Sequence, residues 1–224
     1  MIAIERHIAE AKETSVCVFT ESKGGLGGAR LVWQVASCLE KTISRTASFV
    51  VVPQLNSVPD SQPKYLSAGT RTSNVGHGEL TANGLAGSVL KAASKDWQNA
   101  PNVNLRVLVI ENATALVLSH GISSVIALLR ECKASPAVHS VLALFQDQAH
   151  AAAEWSAIRS AQTCNVLLQP VRPLLGDMIH TSHGQRVHVE VVVTLLRHSG
   201  MPGPTSTFVC KPSISYANIT AAHE

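Results

Sequence analysis

Residues 15–41 place a short apolar run, a glycine-rich turn and an amphipathic segment end to end, and few folds accept that order. Ser15-Val-Cys-Val-Phe-Thr20 reads as a buried strand. It leads into Glu21-Ser-Lys-Gly-Gly-Leu-Gly-Gly-Ala-Arg30, after which Leu31, Val32, Val35, Ala36 and Leu39 recur at the spacing of one helical face. A glycine turn between strand and helix is where backbone N–H groups and the positive end of a helix cradle phosphate. The hydrolysing form of such a loop ends in Gly-Lys-Ser/Thr, with the lysine on the β/γ-phosphates and the hydroxyl on Mg²⁺. Here Gly28 and Ala29 stand in those two places. Neither neutralises a phosphate or ligates a metal. What remains is a loop (Lys23, Gly24, Gly25, Gly27, Gly28 and Arg30) fitted for weak anion binding at most.

The rest of the chain repeats the alternation of strand and helix. Phe49-Val-Val-Val-Pro53, Leu105-Arg-Val-Leu-Val-Ile110, Ser140-Val-Leu-Ala-Leu-Phe145 and Cys164-Asn-Val-Leu-Leu168 are apolar runs of strand length. Helical patterns occupy 2–12, 85–97, 115–118, 122–132 and 151–161, with a break near Gly121. Residues 56–83 are polar and rich in Gly, Ser, Thr and Asn, and predict a long surface loop. Past residue 185 the pattern changes. Arg186–Leu196 alternates, 200–204 makes a turn, and Thr205–Lys211 returns, which predicts an antiparallel hairpin spanning 186–211. The expected fold is one α/β domain over 1–224: a mostly parallel sheet flanked by helices, with a C-terminal hairpin. The phosphate-loop-like turn after the first strand makes it similar to the RecA-like branch of that class.

Composition narrows the function. Charged residues are 15% of the chain and the net charge is +3, too little to predict nucleic-acid binding from charge alone. Cys17, Cys38, Cys132, Cys164 and Cys210 form no CxxC pair and read as reduced thiols, placing the protein in the cytoplasm, with the nucleus as a second compartment. Neither a leader peptide nor an apolar run of membrane-spanning length is read, so no membrane partner is expected. Asn112-Ala-Thr and Asn218-Ile-Thr are read as chance matches to the glycosylation pattern. Glu111 ends the Val107–Ile110 run at a Walker-B-like position, where a carboxylate could hold a Mg²⁺ water. Without nucleotide phosphate to bridge, capping the next helix is the better role for it. His180 and His183, with His188 nearby, lack the Cys or carboxylate that completes a metal set. His150 falls at a strand end and reads as a hydrogen-bonded turn residue. No metal and no cofactor are expected.

Lys23, Gly24, Gly25 and Gly27 resemble the KGGxGK[ST] loop of the ParA/MinD partitioning ATPases, but the lysine and hydroxyl that end it are missing here. A wider resemblance is to the accessory RecA-like subunits of the Elongator complex. Val141-Leu-Ala-Leu-Phe-Gln-Asp-Gln-Ala-His150, Ala157-Ile-Arg-Ser-Ala-Gln-Thr163 and Val166-Leu-Leu168 look like the fifth subunit. Val109-Ile-Glu-Asn-Ala-Thr-Ala-Leu-Val-Leu-Ser-His-Gly121 and Leu128 to Cys132 look like the sixth. The likeness covers roughly residues 14–200. An acidic, aromatic tail of the fifth subunit has no counterpart here, which draws the chain towards the sixth. The resemblance implies a non-catalytic subunit, not an enzyme. It would assemble with related RecA-like Elongator subunits into a hetero-hexameric ring that binds tRNA and supports modification of the wobble uridine. The alternatives from other classes are a ParA/MinD-like ATPase with a degenerate loop and a stand-alone partner-binding module.

Overall fold

A continuous apolar run gives a strand no polar face to turn to water, so such strands take the middle of a sheet with helices on both sides. The computed structural model describes residues 4, 7–8, 11, 13–22, 27–43, 47–52, 71–75, 84–99, 102–170, 189–196, 202–210 and 220–221. Its strands are β1 (Ser15–Glu21), β2 (Ala47–Val52), β3 (Arg71–Asn74), β4 (Leu105–Ile110), β5 (Ser140–Gln146), β6 (Cys164–Pro170), β7 (Val189–Leu196), β8 (Pro202–Cys210) and β9 (Thr220–Ala221). Its helices are α1 (Gly28–Ile43), α2 (Leu85–Gln98), α3 (Ala113–His120), α4 (Ile122–Ala134) and α5 (Ala152–Ala161). Among the described residues the strands form one sheet in the order β3-β2-β4-β5-β1-β6-β7-β8-β9. Strands β1 to β6 run parallel, and β7, β8 and β9 are antiparallel to their neighbours. The expected α/β architecture, mostly parallel with antiparallel C-terminal strands, is the one observed.

Two buried clusters lie on opposite faces of this sheet. Helix α1 packs on one face with Cys17, Phe19, Phe49, Val107, Leu142 and Val166. Helices α2, α3, α4 and α5 cover the other, over Val16, Val18, Val50, Leu108, Val141 and Phe145. Val109, Ile110, Val141, Leu142 and Val166 are all fully enclosed, as their apolar runs predict. They do not sit on successive neighbours, however, because β1 lies between β5 and β6.

The expectation of an unbroken loop over 56–83 needs correcting. Arg71–Asn74 pairs in parallel with Ser48–Val51 and forms one edge of the sheet among the described residues. A strand of this composition carries no apolar signal because its order comes from the main chain and from one ion pair. The Arg71 guanidinium donates to Asp96 of α2 at 2.8 and 3.2 Å, and Ser48 Oγ donates to the other Asp96 oxygen at 3.2 Å. At the opposite end the hairpin is present as β7 and β8, with β8 beginning at Pro202, inside the stretch read as the turn. Residues 186–188, 197–201 and 211 of the expected hairpin lie outside the described residues. No described helix is long and apolar enough to cross a membrane.

Candidate functional site

Strands β1 and β5 are neighbours, yet the helices that follow them lie on opposite faces of the sheet. That divergence opens a crevice at the carboxyl ends of the two strands, where open parallel sheets bind ligands. Here a side chain of the protein itself reaches across the two strand ends. Glu21, the last residue of β1, is 4% exposed. Its Oε1 accepts the Gly28 N–H at 2.5 Å, and its Oε2 accepts Nε2 of Gln146, the last residue of β5, at 2.7 Å. One carboxylate thus ties both strand ends to the first turn of α1.

The glycines around this contact are there for backbone reasons. Gly27 has φ 89, a conformation that side chains disfavour, and its carbonyl accepts the Leu31 N–H at 2.9 Å to start the helix. At Gly28 an added Cβ would come within 2.7 Å of Leu144 Cδ1 and 2.9 Å of the Glu21 Cγ and Cδ. Only a residue without a side chain lets the carboxylate come this close.

Glu111 is also drawn inward. Its Oε1 accepts the indole N–H of Trp33, on α1, at 2.9 Å, and Trp33 packs edge-on against Phe49 at 6.4 Å. The expectation that Glu111 caps the following helix is therefore wrong. Asn112 does so, its Oδ1 accepting the Ala115 N–H at 2.9 Å. A short amide at the N-cap reaches the exposed N–H groups better than a glutamate.

His150 is the hydrogen-bonded residue its position predicts. Its Nε2 lies 2.9 Å from Thr114 Oγ1, and its Nδ1 lies 3.3 Å from Glu154 Oε2. The same Thr114 oxygen accepts the Gln146 N–H at 2.9 Å, and Phe145 and Trp155 pack edge-on around the imidazole. A hydroxyl, an imidazole and a carboxylate in this order could in principle form a nucleophile relay. Thr114 is only 6% exposed and the His150 side chain 1%, so the set fastens the ends of β5, α3 and α5 together. The buried thiols are equally withdrawn. Burial, with Glu131 nearby, pushes the Cys132 thiol up to about 12, and a hydrogen bond with Cys164, then burial, raises Cys17.

Of the residues expected to form a degenerate phosphate loop, Gly27, Gly28 and Arg30 are placed at and within the first turn of α1, with Arg30 half-buried. Lys23, Gly24 and Gly25 lie outside the described residues, as do His180, His183 and His188. Among the described residues no group of three or more His, Cys, Asp or Glu side chains could hold a metal. Glu21 is the residue that sequence reasoning missed. A carboxylate opening a glycine loop was the available signal, being unlike anything a phosphate site would favour.

No family model and no curated protein matches the chain. Its fold does match solved structures. The flagellar accessory protein FlaH of Methanocaldococcus jannaschii superposes with a TM-score of 0.55 at 11% identity, covering 100% of this chain and 96% of that one. A KaiC-like protein of Pyrococcus horikoshii OT3 gives 0.58 at 11% identity, covering 94% and 91%. An uncharacterized Pyrococcus horikoshii protein, solved with an unknown peptide, gives 0.59 at 9% identity, covering 99% and 96%. At such identities the likeness shows a fold alone, and that fold is RecA-like.

Proposed function

We propose that this chain is a non-catalytic RecA-like subunit whose work is assembly. In this reading it stands beside related RecA-like chains in a ring of the Elongator type that holds tRNA for modification of the wobble uridine. One observation carries the non-catalytic part. Gly28 and Ala29 fall on the first turn of α1, the place from which a lysine ammonium and a Ser/Thr hydroxyl would reach phosphate and Mg²⁺. Charge developing on a transferred phosphoryl group would meet no cation from these two positions, a loss of electrostatic stabilisation that costs orders of magnitude in rate. The ParA/MinD-like alternative fails on the same two residues. The assembly part rests on the sequence resemblance and is consistent with a RecA-like fold; the cytoplasm is its proposed setting.

The net charge of +3 suits weak phosphate contacts shared among several subunits rather than tight RNA binding by one. The purified chain is expected to hydrolyse no ATP above background. A tagged copy should co-purify with related RecA-like chains, and its loss from cells should deplete wobble-uridine modification. Turnover abolished by Lys23→Ala would overturn the non-catalytic reading. Pull-downs without related subunits, or unchanged tRNA in knock-out cells, would leave the stand-alone binding module in its place.

A further inference from the structure

We infer that Glu21 is the resident anion of the former phosphate site, an autoinhibitory carboxylate that keeps external phosphate out of the β1/β5 crevice. The inference deepens the non-catalytic reading and rests on it: the lysine and hydroxyl missing at positions 28 and 29 would remove hydrolysis, whereas Glu21 would remove binding. An anion at a helix N-terminus is favoured by the free N–H groups and the dipole, and a buried carboxylate is as good an anion there as phosphate. Glu21 comes from the strand that feeds the loop, and takes the Gly28 N–H with one oxygen and the Gln146 amide with the other. It does so while 4% exposed, and at a glycine whose missing Cβ is what makes room for it. An approaching phosphate would have to displace both bonds and sit against a negative charge already buried. The weak anion binding expected of this loop should therefore be absent until the carboxylate is removed.

Nuclear magnetic resonance on the full-length chain tests this, with inorganic phosphate titrated against chloride at matched ionic strength. In the wild type the Gly28 amide resonance should stay still as phosphate is added. In Glu21→Ala the same amide should move with phosphate, and the thermal midpoint should rise with it. Phosphate affinity should increase by at least roughly tenfold, the scale of one charge-assisted hydrogen bond gained. Glu21→Gln, which keeps the volume and loses the charge, should move in the same direction by less and serves if the alanine variant does not fold. A wild-type Gly28 amide that shifts with phosphate overturns the inference. So does a folded Glu21 variant that gains no phosphate binding. Those failures would leave the proposed non-catalytic role intact, which only ATP turnover by the wild type reaches.

Discussion

The sheet is two sheets in its energetics, and they meet at β6. In β1 and β2 every residue is buried, and in β5 all but the last. In β6 burial alternates, and on β7 Val191 and Val193 are buried while Val192 and Thr194 are only half so. The difference is set by helices. The parallel half has α1 on one face and α2 to α5 on the other, so both sides of each strand are taken from water. Past β6, Val166, Leu168, Val191 and Val193 join the α1-side cluster, whereas Asn165, Leu167, Val192 and Thr194 on the reverse side stay half-exposed. On β1, β2 and β5 the polar residues Ser15, Thr20, Glu21, Ser48, Ser140 and Gln146 lie at or next to strand ends, leaving apolar middles.

Truncation should expose this contrast most strongly. Leu142→Ala, in fully enclosed β5, should cost about 3–4 kcal/mol in denaturant unfolding, and Val192→Ala, half-exposed on β7, under ~1 kcal/mol. Equal losses would break the comparison. Next in size is Gly28→Ala, which forces a methyl against Leu144 and Glu21. A loss of roughly 1–3 kcal/mol should outweigh the ~1 kcal/mol that alanine gains over glycine in a helix. A stabilised variant would mean that the contact is looser than its distances.

Smaller effects sharpen the contrast at single polar groups. Asn112→Ala should lose about 1 kcal/mol because it removes the α3 cap, whereas half-exposed Asn165→Ala should stay within about 0.5 kcal/mol of the wild type. The smallest effect is a dependence on pH at the margin of the two halves. Burial holds the His7 imidazole below its ordinary value of 6.5, beside Thr163 at 3.4 Å. The fold thus prefers neutral His7, so this contribution is complete above pH 6.5 and is lost as pH falls through the depressed value. Thermal midpoints measured across that range should fall less for His7→Gln than for the wild type.

How far the fold could be read from the sequence follows the same division. The inner strands announced themselves because burial on two faces demands unbroken runs such as Val107-Leu-Val-Ile110, and α1 because its apolar residues keep one face. The change to alternation near residue 186 marked the antiparallel half for the converse reason. Strand β3 was illegible: Arg-Thr-Ser-Asn is held by β2 backbone and by Asp96, which is 25 residues away from Arg71. At the site, the loss of lysine and hydroxyl could be read directly from positions 28 and 29. Which groups Glu21 and Glu111 would bond could not, because Gln146 and Trp33 lie 125 and 78 residues away along the chain.

The place of β1 in the sheet also governs when the molecule can finish folding. Its partners on either side are β5 and β6, and the β1–β5 pairs span 125 residues of chain. Synthesised at about 5–20 residues per second, the apolar segment Val16–Phe19 emerges many seconds before any strand exists to flank it. Closing so long a loop adds a modest entropic cost but slows folding, since local contacts cannot stand in for the distant ones. Until residue 146 has left the ribosome, a strand that is wholly buried in the finished protein has both hydrogen-bonding edges without their native partners.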